Sequence, residues 1–454
     1  MKEYFYKKFD SPLFHTKQIF SMLAPLIMDS FFVCAIGVLT TAMISSSSQE
    51  SVSAVSLVSP LYMMVYAVYN AVSAGGTVVV AQFKGKGDVE QMKKAAGQLM
   101  LITPLSAIIS GTILVVFADP LVHILFGSVD EVVLAKAEQY LIGIAISMVF
   151  LAIYMSGFAV FRGLGETKCC LHLTILINLL HFVGSFVLIN LMHLDILGSV
   201  LSLNLARLIG AAASMWMLLS PRSILRVNKR HIFSLDKKIL REIFRIGIPY
   251  GMEQMFMNGG AMLVQIFIAQ LGTVSVAANA VANSVLSLLY AAPSAVASLA
   301  ITVVGQCIGA EDKGLARRYG KSMMWLCTVL TVLSLLIGLP LLPLILKMYQ
   351  APANTVSMIY GVLAIAAVCM PFFWPASNTL PAIMRSAGDA SYSSYFSLVT
   401  MWVVRVGLGY LLAIPLKLGI QGVWIGMCVE WAIKTLAFWH RFHGDKWLPR
   451  EQRL

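Results

Sequence analysis

Three acidic residues, Asp29, Glu253 and Glu430, and two basic ones, Arg207 and Arg405, stand inside long apolar stretches of this 454-residue chain. A charged side chain at the centre of such a stretch costs about 2.5–3.5 kcal/mol on membrane-insertion scales, so these groups persist for a reason. Desolvation favours the neutral acid and a nearby cation favours the carboxylate. A buried Asp or Glu balanced between the two can exchange a proton or Na⁺ for another cation near neutral pH. Asp29 lies beyond Lys17 and Glu253 beyond Arg245, at spacings that put each roughly 12–18 Å from those basic positions along a helix. The alternative is a structural ion pair, for instance with Arg207 and Arg405. Glu430 has Lys434 four residues later, the favourable order for a helical pair that would shield it. Arg405 has two further options, orienting Glu253 or contacting an anionic group on a ligand. Asn178 and His181, and Asn279 and Asn283, fall on shared helix faces; they are candidates to line a cavity or to hydrogen-bond between helices.

The elements that must position these groups follow from composition. With 59% hydrophobic and only 12% charged residues, against about 25% charged in an ordinary globular chain, this is an integral membrane protein. Twelve apolar runs, from residues 19–44 through 419–440, are long enough to cross a hydrocarbon core about 30 Å thick. Without water to satisfy their backbone groups, they must be helices. With the N-terminus placed inside, every Lys and Arg except Lys136, Arg207, Lys347, Arg405, Lys417 and Lys434 falls in a cytoplasmic segment, as the positive-inside rule requires. The formal charge of +12 then records topology and attraction to an anionic leaflet, and no nucleic-acid partner is expected. The seven cysteines have no CxxC pairing and no His partner at metal-ligand spacing and read as apolar fillers, with no metal site. No cleavable leader is expected. HExxH, GxSxG, GxGD and nucleotide-loop patterns are missing from the sequence, so it is not expected to be an enzyme.

The chain also repeats itself. VVVAQFKGKGD (78–88) and TVVGQCIGAED (302–312) match at Val79/Val303, Val80/Val304, Gln82/Gln306, Gly85/Gly309 and Asp88/Asp312. Pro25 and Asp29 align with Pro249 and Glu253 in the same register, and FRGLGET (161–167) with MRSAGDA (384–390). The expected fold is therefore all-α, twelve membrane-spanning helices in two six-helix pseudo-symmetric lobes related as parallel repeats. Residues 1–220 would form the first lobe, 221–245 a cytoplasmic linker and 246–454 the second. In the repeated turn, Gly85 and Gly309 would permit the reversal and Asp88 and Asp312 would cap the next helix. Gln82 and Gln306 complete the motif. The pair is either a plain capping turn or a cytoplasmic hinge and gate. Glycines near Glu253, Pro293, and Pro371, Pro375 and Pro381 are expected to break or bend their helices.

With these motifs in order, together with GIPYGMEQMF, LGTVSVAANAVAN and GVWIGMCVEWAIKTLAFWHRFHGDKW, the whole chain resembles the multidrug and toxic compound extrusion (MATE) family, in its bacterial branch. The resemblance implies an antiporter coupled to H⁺ or Na⁺, with no other cofactor. It would export small amphipathic, often cationic, organic compounds through a cavity between two lobes. It also implies a monomer among the lipids of the bacterial inner membrane, with both termini cytoplasmic. Two positions depart from the family pattern: Thr40 and Trp374 stand where members often carry acidic residues, so coupling would fall to other carboxylates. Helix five of the family often carries asparagines, one at the position of Asn178, while His181 replaces a second. The alternative is a flippase for a lipid-linked precursor or another metabolite exporter of the related superfamily.

Overall fold

A computed structural model describes residues 9–45, 49–126, 130–220, 225–348 and 353–449; the side chains of 36–45 lie outside the described residues, and Thr40 with them. Among these residues twelve long helices succeed one another. They are α1 (Thr16–Ser45), α2 (Gln49–Lys86), α3 (Val89–Val116), α4 (Glu131–Leu164), α5 (Thr167–Ser185, continued as a π-helix over Phe186–Leu191) and α6 (Asp195–Leu219) in the first half. The second half has α7 (Lys237–Gln270), α8 (Thr273–Gly309), α9 (Lys313–Met348), α10 (Ala353–Ser386), α11 (Ala390–Thr400, continued as a π-helix over Met401–Leu408 and closing with Gly409–Ala413) and α12 (Gly419–His443). Ten helices are long and apolar enough to cross a membrane. The other two long helices, α7 and α12, have their apolar runs diluted by Glu253, Gln254, Asn258 and Gln265, and by Glu430 and Lys434.

Helix α7 starts at Lys237, well before its apolar run. Asp236 caps it, accepting from the amides of Lys238 and Ile239 at 2.9 and 3.3 Å, and Ile239, Ile243 and Ile246 bury one face of the amphipathic extension. Helices α8 and α10 run unbroken through Pro293 and through Pro371, Pro375 and Pro381, and α7 through Gly259 and Gly260. None of these positions ends its helix; each proline still removes one backbone hydrogen bond and is a place where the continuous helix can bend.

The chain gathers into two compact units, Phe31–Gly247 and the remainder, which joins the residues up to Ser30 with those from Ile248 onward. The boundaries fall inside α1 and α7, so Asp29 and Glu253 each lie within two turns of a place where the chain passes between units. In the Phe31–Gly247 unit, α4 is the central element, burying Leu141, Met148 and Ala152. The short helix Lys229–Phe233 packs on α3 at Gly97, where a Cβ would come 2.2 Å from the His231 carbonyl oxygen. His231 Nδ1 accepts from the Asn228 amide at 3.0 Å, so Nε2 holds the proton and donates to Glu90 at 3.1 Å. In the other unit α8 is central, with Val296, Leu299, Val303 and Val304 in the core. Trp447 is buried there against the C-terminal end of α12, its ring 5.0 Å from that of Phe442.

The repeated turn is one backbone motif used in both units. After α2, the Asp88 amide reaches back to Phe83 O and the Gly87 amide to Lys84 O; after α8, Asp312 reaches Cys307 O and Glu311 reaches Ile308 O. Both are Schellman closures. Asp88 then accepts from the Gln91 amide at 3.0 Å and Asp312 from the Leu315 amide at 2.7 Å. The reversal does not use Gly85 or Gly309, which lie inside their helices. The left-handed residues are Gly87 (φ 75°) and, in the second copy, Glu311 (φ 61°). Gln82 and Gln306 are buried just before the turns. A non-glycine residue in this region costs about 1–2 kcal/mol, partly offset by the entropy glycine would lose on folding. Glu311→Gly should therefore stabilise the protein by up to about 1 kcal/mol, read as a rise in thermal midpoint in detergent; an unchanged or lower midpoint would contradict the strain.

Candidate functional site

Glu253 lies midway along α7, 8% exposed. Its Oε2 accepts from Ser394 Oγ of α11 at 2.8 Å and from Arg385 Nη1, at the end of α10, at 3.3 Å. The Arg385 guanidinium also lies 4.5 Å from the centroid of the Tyr250 ring, one turn before Glu253. Of the alternatives read from the sequence, an ion pair does form, but its partner is not Arg405: it comes from MRSAGDA, the segment that ends α10. Asp29 is half-buried on α1.

A second ionic group sits deeper. Glu430, 1% exposed, pairs with Lys434 Nζ at 2.5 Å and with Arg405 Nη1 at 3.6 Å. The i, i+4 pair thus forms, but one carboxylate serves two cations. Arg405 is carried by the π-helical stretch of α11, where the wider turn re-aims side chains relative to an α-helix. On α8, Tyr290 stacks on Trp374 at 4.8 Å and meets Trp431 edge-on at 6.3 Å.

The paired asparagines do not converge. Asn279 is buried, donating to Gln265 Oε1 and accepting from Trp424 Nε1, both at 3.1 Å, so it ties α7, α8 and α12 together. Asn283 is exposed.

In the Phe31–Gly247 unit, Arg207 of α6 is held by hydroxyls rather than by a carboxylate. Nη1 donates to Ser147 Oγ at 2.6 Å and Nη2 to the Tyr62 hydroxyl at 2.9 Å. His181 is buried and joins Ser185 and Ser202, its Nδ1 lying 3.1 Å from Ser202 Oγ. Asn178, half-buried, donates to Thr174 O one turn earlier at 2.9 Å. Sequence reasoning missed Arg385, Ser394, Ser147 and Tyr62. Only the arginine in MRSAGDA left a signal, as the counterpart of the arginine in FRGLGET.

Asp389, in the turn between α10 and α11, accepts from Arg441 Nε near the end of α12 at 2.9 Å. Burial raises its carboxyl above the ordinary value, and the Arg441 hydrogen bond and charge oppose that rise.

Known proteins resemble the chain over nearly its whole length. It is 24% identical over 446 residues to the uncharacterized transporter YisQ of Bacillus subtilis, covering 97% of this chain and 96% of that one. It is likewise 24% identical over 447 residues to a probable multidrug resistance protein NorM of Halalkalibacterium halodurans, covering 95% of each. Among solved structures, an outward-facing multidrug resistance MATE family transporter of the MOP superfamily superposes with a TM-score of 0.86 at 18% identity, over 94% of this chain and 95% of that one. A MATE crystallised in complex with MaD3S gives 0.85 at 18% identity, over 94% and 96%. The MatE family profile matches twice, over residues 25–187 and 249–411. The two matched stretches are the two copies read from the sequence, and together they take in most of the chain, which therefore belongs to the MatE family of membrane transporters.

Proposed function

We propose that this chain is a secondary active exporter of small amphipathic organic compounds. It would work by alternating access, with inward H⁺ or Na⁺ movement driving the cargo out. The observation that carries the proposal is Glu253, a mid-helix carboxylate whose two partners are both exchangeable. Ser394 can rotate, and Arg385 has the Tyr250 face as a second place to rest its charge. A cation arriving at Glu253 would replace Arg385, and α7 is one of the two helices in which the chain passes between its compact units. Ion occupancy there would bias which arrangement of the duplicated halves is favoured, and that is the energetic requirement for coupling. Asp29, at the equivalent place on α1, would be the second ion-binding group. Glu430, shared between two cations, would be structural. The paired turns at Asp88 and Asp312 would act as rigid corners on the cytoplasmic side, both termini also being cytoplasmic, in a bacterial inner membrane.

Efflux of a fluorescent organic compound from proteoliposomes, under separately imposed pH and Na⁺ gradients, tests this reading. One gradient should accelerate efflux several-fold over the gradient-free control and the other should not. Acceleration by neither would refute ion-driven antiport.

A further inference from the structure

Arg207 occupies the midpoint of α6, Asp195–Leu219, about 18 Å from either end. It is 8% exposed, its two contacts from Nη1 and Nη2 go to neutral hydroxyls, and its charge lies 5.6 Å from the Tyr62 ring centroid. Among the described residues of this unit the ion pairs involve Glu50, Glu90, Asp119, Asp195 and Glu242, and none reaches Arg207. The sequence explains why. Every carboxylate of Phe31–Gly247 stands in a loop or near a helix end, the deepest being Glu138, in the third turn of α4 and about 13 Å along the helix from Ser147.

The other copy treats its cations differently. The matched stretches, 25–187 and 249–411, make α5 and α11 counterparts, and α6 and α12 follow them in the two copies. Both copies thus place a guanidinium on their fifth or sixth helix, but only Arg405 receives a carboxylate, Glu430. A guanidinium presents five N–H donors in a planar fork suited to carboxylate or phosphate oxygens. Two of those five are engaged by Ser147 and Tyr62. In a low-dielectric interior the uncompensated charge attracts an anion far more strongly than it would in water. Tyr62 and Tyr66, stacked at 5.9 Å, offer an aromatic wall beside it.

We propose that Arg207 binds the anionic group, a carboxylate or phosphate, of an amphipathic substrate, whose apolar part lies along Tyr62 and Tyr66. This rests on the exporter reading and deepens it: the cargo is an acidic amphiphile, where the family resemblance led to the expectation of cationic compounds.

The test is equilibrium binding to the purified full-length protein in neutral detergent, with a dansyl-labelled long-chain carboxylic acid and cationic rhodamine 6G as probes. The wild type should bind the acid. Arg207→Gln should weaken that binding at least tenfold and leave rhodamine unchanged or tighter, and Arg207→Lys should keep part of the acid affinity. The double variant Tyr62→Phe, Ser147→Ala frees two donors while retaining the charge, so it should keep or tighten acid binding even if Arg207→Gln fails to fold. A wild type that prefers rhodamine, or an Arg207→Gln protein of normal melting temperature that loses both probes alike, overturns the proposal. Competition identifies the source of the anion: displacement by phosphatidylglycerol but not by a soluble alkyl phosphate points to a lipid headgroup, and the reverse to a free amphiphile. Because binding is read without transport, failure of the exporter reading would show separately, as probe binding without gradient-driven efflux.

Discussion

Glu430→Gln should be among the most destabilising single substitutions in the chain, costing about 3–5 kcal/mol. The side chain is 1% exposed and is the only carboxylate that Lys434 and Arg405 are paired with among the described residues, at 2.5 and 3.6 Å. Removing its charge leaves two cations facing each other in a low-dielectric interior, with the near-buried Lys434 unable to reach solvent. The fold then bears both an unmet desolvation cost and a repulsion. Thermal melting in detergent, followed by the loss of monodisperse protein on size exclusion, reads the effect. Adding Lys434→Met to Glu430→Gln should restore much of the loss, because a neutral pair of similar volume removes one of the opposed charges. A Glu430→Gln protein that melts with the wild type would mean that water already screens the cluster.

That cluster marks the limit of what was legible in the sequence. Helices, repeat and turns are local, or repeat at a fixed interval, and apolar run length with the Asp88 and Asp312 caps was enough to place them. The Glu430–Lys434 pair was legible for the same reason, since i and i+4 neighbours meet on any helix. Partners across helices were not. Arg405 stands in the π-helical stretch of α11 and Arg385 in the last turn of α10, and which of them meets Glu253 depends on the wider turn of the one and on how far the other helix extends. Neither leaves a periodic signature. The turn glycines failed more subtly: KGKG offers Gly85 and Gly87 two residues apart, and only the backbone bonds of the closure decide which takes positive φ. Its counterpart, Glu311, carries no glycine signal at all. Arg207 was visible as an intramembrane cation, but its neutral setting required Ser147 and Tyr62, two unremarkable hydroxyls on different helices.

Glu253→Gln should abolish gradient-driven accumulation while leaving the protein able to bind and exchange its cargo. One charge moved down 100 mV supplies about 2.3 kcal/mol, enough to sustain a concentration ratio of roughly fifty-fold; a neutral amide at Glu253 cannot bind the driving ion, so the ratio should fall to about one. Counterflow, which exchanges cargo for cargo without net ion movement, should persist. The comparison with Arg385 separates coupling from mere support of the fold. Arg385→Gln removes the guanidinium that competes for Glu253 at 3.3 Å and leaves the carboxylate with the Ser394 hydroxyl at 2.8 Å. The driving ion should then bind more tightly and leave more slowly, so turnover falls while the steady-state ratio survives. If the two variants lose ratio and rate together, with unchanged melting temperatures, the pair is a structural clamp. If Glu253→Gln retains the full ratio, the driving ion binds elsewhere, with Asp29 the first alternative to substitute.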